Sequence, residues 1–284
     1  MIIDGHAHFF NKKTFGNNFP KNFKMNESMK KMASTIDHTI EENKDAWIKA
    51  MDKEGIEKTV FMSTSTLNQE FTSFINSNER FIGFATLNPE LKDAVEILKK
   101  ELENGMSGVK LYATNGQYNI GSDKTFPFYE YCENNQIPIT IHSGVTIGPT
   151  ADLFTGNPIH ISRVLSAFPE LNVIMAHFGA GYFREVLMLK YKRENLYVET
   201  SGTNNWLPFQ DNFLTLKDVF KKSIDIFGPD KIIFGTDTRI FPDGYRTGIL
   251  KEQQKILEEL NVSSSDKQKI MHGNMSKLIT KSKK

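Results

Sequence analysis

Eight short runs rich in Ile, Val and Phe recur along the chain, each followed by a longer charged stretch with helical spacing, and this alternation constrains the fold more than any other feature. The runs are Ile2 to His8, Thr59 to Ser63, Phe81 to Thr86, Gly108 to Tyr112, Pro138 to His142, Asn172 to His177, Leu196 to Thr200 and Lys231 to Gly235. Between them, Ala94 to Glu103 puts Ala94, Ile97, Leu98 and Leu102 on one helical face; Ile161 to Phe168 does the same with Ile161, Val164, Leu165 and Phe168. Eight strand–helix units in 284 residues come to about 35 residues each, the size of a (β/α)8 barrel with modest insertions. A doubly wound open sheet more often has fewer strands and a Gly-rich first turn, whereas the first strand here runs into His6-Ala7-His8-Phe9-Phe10. The expected fold is therefore α/β, a single (β/α)8 TIM barrel forming one domain over residues 1–284, with no Gly/Ser/Pro-rich linker and no further internal repeat. The longest irregular piece, Phe10 to about Ile40, follows the first strand and is expected as a loop over the C-terminal face, a lid or specificity element.

Composition excludes several classes of function. The 35 Lys+Arg and 34 Asp+Glu give a net charge of +1 spread along the chain, so no basic footprint for a phosphate backbone is visible and nucleic acid is not an expected partner. The longest apolar runs reach about six residues, far short of the ~20 that span a bilayer, and Met1-Ile2-Ile3-Asp4 lacks the charged and apolar regions of a signal peptide. A single cysteine, Cys132, read as a buried helical residue, fits a reducing interior. The expectation is a soluble, cytoplasmic protein with a small-molecule partner and no membrane, its Lys281-Ser282-Lys283-Lys284 tail a solvated end. Homo-oligomers are frequent in such barrels, and a homo-oligomer stays open because nothing in the chain marks an interface.

His6 and His8 flank one residue in an expected strand, so both side chains point to one face and are placed to share a cation. His142 closes the fifth expected strand, His177 the sixth, and Asp237 follows the eighth. In a (β/α)8 barrel those strand ends converge on the face where active sites are built. Any one of these residues reads equally well as a turn or cap; all five together do not. Three imidazoles and a carboxylate suit Zn2+, with Mn2+, Fe2+ or Ni2+ open because sequence does not fix geometry. Such a metal, with an open position, lowers the pKa of bound water to about 7 and supplies a nucleophile.

With these residues in place, the sequence resembles the amidohydrolase superfamily, and more narrowly the amidohydrolase-related group that includes decarboxylases of the aminocarboxymuconate-semialdehyde type. The resemblance rests on Ile3-Asp4-Gly5-His6-Ala7-His8, Gly108-Val109-Lys110-Leu111 and Ile139-Thr140-Ile141-His142, then on Phe168 to His177, Phe234-Gly235-Thr236-Asp237 and Gly273-Asn274. It implies that His6, His8, His142 and Asp237 surround one metal, Asp237 also accepting the proton of the attacking water. His177 is then a second base, or an electrophile that polarises the substrate carbonyl. Some members of the superfamily carry a carboxylated Lys on the fourth strand bridging two metals, with the sixth-strand His on the second metal. Lys110 and His177 occupy the corresponding strands here, so a binuclear site stands beside the mononuclear one, as does a structural Lys110 paired with a carboxylate or the substrate.

Two departures bear on the substrate. Thr238-Arg239-Ile240-Phe241-Pro242 places a cation near the metal where relatives commonly have an aromatic and a proline, and Arg239 is a candidate to grip a substrate carboxylate, or else a solvated loop residue. The decarboxylases in question carry a substrate-gripping Arg early in the chain, and no Arg precedes Arg80 here, which argues against that activity. Trp206, after the seventh strand, is a candidate pocket wall, whereas Trp47 reads as core and His38, His160 and His272 as surface or capping residues. The leading expectation is a metal-dependent hydrolase acting on a C–N or C–O bond of a small carboxylate-bearing molecule. The alternative is a nonoxidative decarboxylase or hydratase on the same site; a barrel that only binds a ligand is the third reading, and it predicts no metal.

Overall fold

The computed structural model describes residues 1–16, 27–116, 118–146, 151–191 and 193–281. Its strands are β1 (Ile2–His8), β2 (Ile56–Met62), β3 (Phe81–Thr86), β4 (Met106–Tyr112), β5 (Ile139–His142), β6 (Val173–Met175), β7 (Leu196–Glu199), β8 (Ile232–Ile233) and β9 (Thr238–Arg239). They form a nine-stranded, wholly parallel sheet in the order β8-β7-β6-β5-β4-β3-β2-β1-β9. The eighth strand expected from the sequence is thus two strands, β8 pairing with β7 and β9 with β1, separated by residues 234–237. Gly5 N donates to Phe234 O at 2.9 Å and Asp237 N to His6 O at 2.8 Å, so the separating segment is bonded to β1 and the sheet closes into a TIM barrel. Gly5 is required there: a Cβ at this position would lie 2.7 Å from Ile233 Cγ2 and 2.8 Å from Phe234 O.

Side-chain alternation sorts the strands into two layers. Phe61, Ala85, Val109, Leu111, Ile139, Ile141, Val173, Met175, Leu196, Val198 and Ile232 join the outer core beneath the helices. Val60, Met62, Ile82, Phe84, Ile174, Tyr197 and Ile233 form a second cluster with Met275, Leu278 and Ile279 of the helix Asn274–Lys281. That helix plugs one end of the barrel, and the Asn274 amide donates to Pro229 O and Ile232 O at the start of β8. Among the helices, Ile40–Glu54 starts at a Thr39/Glu42 capping box, ends at the left-handed Gly55 and buries Asn43, Trp47 and Met51 at four-residue spacing. Trp47 meets Phe61 edge-on at 4.8 Å, the core position expected, and Cys132 is buried in its helix.

The stretch from Phe10 to about Ile40 is a correction. Instead of an irregular loop it contains two short helices, Lys12–Gly16 and Glu27–Thr35, while residues 17–26 lie outside the described part. The first is started by a reciprocal pair, Asn11 N to Thr14 Oγ1 and Thr14 N to Asn11 Oδ1, which an apolar-period reading does not register. Phe10 stacks on His8, and His38 stacks on Phe241 at 3.7 Å, so both ends of the stretch reach the face that carries His8. Among the described residues, no helix is long and apolar enough to cross a membrane.

Candidate active site

Polar residues take the interior positions at the C-terminal ends of the strands. On β4, Val109 and Leu111 face the outer core and Lys110 faces inward; on β5, Ile139 and Ile141 leave Thr140 and His142 inside; on β7, Leu196 and Val198 leave Glu199 inside. Lys110 and Glu199 are fully buried, as is His6. The break between β8 and β9 holds Asp237 at φ 58°, and His177 sits at φ 56°, two residues beyond the end of β6. This corrects the expected boundary, in which His177 was the last residue of the strand. Both are non-glycine residues in the left-handed region, a conformation costing roughly 1–2 kcal/mol apiece, found where a side chain must be aimed.

The geometry centres on His6. Its Nδ1 is 2.9 Å from Glu199 Oε2, and its Nε2 is 3.4 Å from Lys110 Nζ and 4.0 Å from Asp237 Oδ1. His8 Nε2 is 3.1 Å from the same Asp237 oxygen, while Arg246 Nη1 donates to Asp237 Oδ2 at 3.0 Å. The His177 ring lies 4.7 Å from His6 and 5.0 Å from His142, and its Nδ1 contacts Ser201 Oγ at 2.8 Å and Ser201 O at 3.2 Å. Gly235 keeps the centre open, since a Cβ there would meet Glu199 Oε1 at 2.3 Å.

Burial sets the protonation states. It holds the imidazoles of His6 and His142 well below the ordinary histidine value, aided by Lys110 beside His6 and by His177 beside His142. His177 is lowered to about 4, again chiefly by burial. Lys110 is lowered to about 8 by burial, against the pull of Glu199 and Asp237, and Glu199 is raised by burial. Asp237 ends well below the usual carboxylate range: burial alone raises it, and the hydrogen bond to His8 with the facing imidazoles more than reverses this. At neutral pH His6, His142 and His177 are therefore neutral beside an ionised Asp237, the protonation states in which such side chains act as metal ligands.

Among the described residues, two sets of side chains bring ligand atoms within 4.8 Å of one another: His6, His8 and Asp237, and His6, His177 and Glu199. His142 is in neither set, but its buried Nε2 has no hydrogen-bond partner among the described residues, an orphan that a cation would satisfy. The donor chemistry and this orphan fit a divalent metal held by His6, His8, Asp237 and His142. Lys110, the second-metal candidate, lies against His6 with its ammonium 5.2 Å from the Tyr112 ring.

Of the two substrate candidates, Arg239 is partly exposed on the rim with Nη2 3.3 Å from Asp243 Oδ2, and Trp206 is only 3% exposed, packed against Phe183 in the core. His160 bonds Phe154 O and His272 bonds Glu57, both away from the cluster, and His38 pairs with Glu42. The sequence reading missed Glu199, Ser201 and Arg246. Glu199 carried a signal, an ionisable residue at an inward position of an otherwise apolar strand; Arg246 carried none, because only the fold brings it to Asp237.

A model described as Amidohydrolase matches residues 3–279. A comparison with curated proteins finds no match. Among solved structures, the chain is similar to an uncharacterised TIM-barrel protein from Bordetella bronchiseptica, at 21% identity and TM-score 0.69, covering 100% of this chain and 99% of that one. It is similar also to an amidohydrolase from Burkholderia multivorans with bound zinc, at 11% identity and TM-score 0.71, covering 99% of both chains. A dihydroxybenzoic acid decarboxylase from Polaromonas sp. JS666, with bound manganese and the inhibitor 2-nitroresorcinol, matches at 18% identity and TM-score 0.68, covering 98% of this chain and 96% of that one. With the family model spanning nearly the whole sequence and hydrolases and decarboxylases alike among its structural neighbours, the chain belongs to the amidohydrolase family.

Proposed function

We propose that the protein is a metal-dependent hydrolase, a single catalytic domain that uses water to break a C–N or C–O bond of a small carboxylate-bearing substrate. The observation that carries this reading is the convergence of His6, His8 and Asp237 within 4.8 Å, together with a buried His142 Nε2 that has no hydrogen-bond partner among the described residues. One zinc ion per chain suits these donors best, with manganese the runner-up. When bound, the metal supplies a Lewis acid that lowers the pKa of a coordinated water to about 7. The residues of the chain do the rest. Asp237, kept ionised, is a proton acceptor; neutral His177 takes or returns a proton on the side facing His6 and His142. Arg246, already 3.0 Å from Asp237, and Arg239 on the rim give the substrate carboxylate two guanidinium groups to pair with.

A nonoxidative decarboxylase or hydratase on the same residues is the second reading, supported by the likeness to the Polaromonas decarboxylase. The test is metal content per chain by mass spectrometry on protein purified without chelator, beside His142→Ala, followed by a screen for hydrolysis and for carbon dioxide release. Near-stoichiometric zinc, lost in the variant, with hydrolysis of an amide or ester, is the expected result. About two metals per chain would bring Lys110 and His177 into the ligand set, and carbon dioxide release without hydrolysis would replace the first reading with the second. No metal in either protein after reconstitution overturns both.

A further inference from the structure

His6 and His177 are joined through two side chains that the metal site itself does not call for. Glu199 Oε2 is 2.9 Å from His6 Nδ1 and 2.9 Å from Ser201 Oγ, and Ser201 Oγ is in turn 2.8 Å from His177 Nδ1. Glu199 Oε1 accepts from Ser201 N, so both carboxylate oxygens are engaged, and because an ionised carboxylate only accepts, each of these bonds runs into Glu199. His6 Nδ1 therefore carries the hydrogen. Its Nε2 is left with the lone pair, and a donor, Lys110 Nζ, stands 3.4 Å from that atom, as this tautomer demands.

The same accounting fixes His177. The single hydroxyl hydrogen of Ser201 goes to Glu199, so its oxygen accepts from His177 Nδ1. The carbonyl oxygen of Ser201, an acceptor only, faces the same nitrogen at 3.2 Å. Both partners of Nδ1 are acceptors, and the ring carries its hydrogen there. We propose that Glu199 and Ser201 are a positioning pair that locks both imidazoles in the Nδ1–H tautomer, presenting His6 Nε2 as a metal donor and His177 Nε2 as a proton acceptor. A carboxylate on the far nitrogen of a ligating histidine orients the ring and raises its basicity. For His177 the lock selects the base over the hydrogen-bonding electrophile, because the nitrogen turned away from Ser201 has no hydrogen to give. The use made of the two lone pairs rests on the hydrolase reading; the tautomers do not.

The test uses the full chain, metal-free, with 15N-labelled histidine side chains, their two-bond proton–nitrogen correlations assigned through single His→Asn variants. Both His6 and His177 are expected to show a protonated Nδ1 and a bare Nε2. Ser201→Thr, which keeps the hydroxyl, is expected to preserve that pattern, whereas Ser201→Ala populates the Nε2–H form of His177 and leaves His6 unchanged. Glu199→Gln is expected to weaken zinc binding roughly 10- to 100-fold in competition with a chromophoric chelator. An Nε2–H tautomer of either ring in the unaltered protein, a Ser201→Ala spectrum identical to it at His177, or unchanged zinc affinity in Glu199→Gln overturns the proposal. If Glu199→Gln does not fold, the two Ser201 variants decide alone. Failure of the unaltered chain to bind zinc would remove the metal reading while leaving the tautomers as measured.

Discussion

Glu101 is 3% exposed, lies in the last turn of the helix Ala94–Glu103 and accepts one hydrogen bond, from Leu67 N. One bond does not replace a carboxylate's water, and a negative charge at a helix C-terminus is opposed by the helix dipole. Burial accordingly raises its pKa above the ordinary glutamate value of 4.5. The folded state then binds the proton more tightly than the unfolded chain, so this residue's contribution to stability falls as pH rises from near 4.5 through the raised value and is flat beyond it. Glu101→Gln keeps an acceptor and cannot ionise. Its melting temperature relative to the unaltered protein is expected to climb between pH 4 and pH 7; a difference independent of pH would show that the carboxylate is not desolvated. Arg246 is a second residue-scale case. Replacing it with Gln removes a charge-assisted bond worth about 1.5–3 kcal/mol, so KM for a carboxylate substrate is expected to rise roughly ten- to hundredfold, with kcat changed less. An equal rise for the neutral amide analogue would assign Arg246 to Asp237 alone.

At the scale of elements, what the sequence made legible follows from periodicity. β1, β3 and the helix Ala94–Glu103 fall on the expected residues: β3 and the helix keep one apolar period along their length, whereas β1 sets Asp4, His6 and His8 among its apolar residues. Strand ends were less legible where the backbone turns left-handed. His177 reads as the last residue of its strand, yet a φ of 56° takes it out of the sheet; Asp237, expected just past its strand, lies at 58°, and although His and Asp are enriched in the left-handed region, residue type alone does not mark which of them adopts it. Glu199 carried a signal as an inward carboxylate, but its role did not show, because its partners come from β1 and, through Ser201, from the turn after β6, far away in sequence. The plug at the other end of the barrel was not foreseen, since Met275, Leu278 and Ile279 look like any amphipathic helix until β1 and β8 are placed against them. Leu278 is 2% exposed, and Leu278→Ala is expected to cost about 2–5 kcal/mol in denaturant unfolding while zinc affinity stays unchanged. Loss of zinc binding without loss of stability would mean that the plug shapes the site rather than the barrel's floor.

The barrel as a whole is closed by the elements that carry the candidate ligands. His6 and His8 come from β1, Asp237 from the break beside β9, and His142 from β5, so a bound cation would link the first and eighth strands directly and tie them to the strand across the sheet. These residues are gathered only in the folded chain, and a metal that binds the folded state alone stabilises it by mass action, about 2.7 kcal/mol at a free concentration of roughly a hundred times Kd. With an unfolding entropy of about 2.1 cal/mol/K per residue, a chain of 284 residues converts that gain into a rise of roughly 5 °C in melting temperature. Scanning calorimetry with added zinc and with a chelator is expected to show this difference, and His142→Ala is expected to lose most of it while melting close to the chelated protein. A melting temperature insensitive to zinc and chelator alike would mean that the cluster closes the barrel by its own hydrogen bonds, with Lys110 and Arg246 supplying the positive charge. An increment retained in His142→Ala would instead confine the ligand set to His6, His8 and Asp237, whose donor atoms already lie within 4.8 Å of one another.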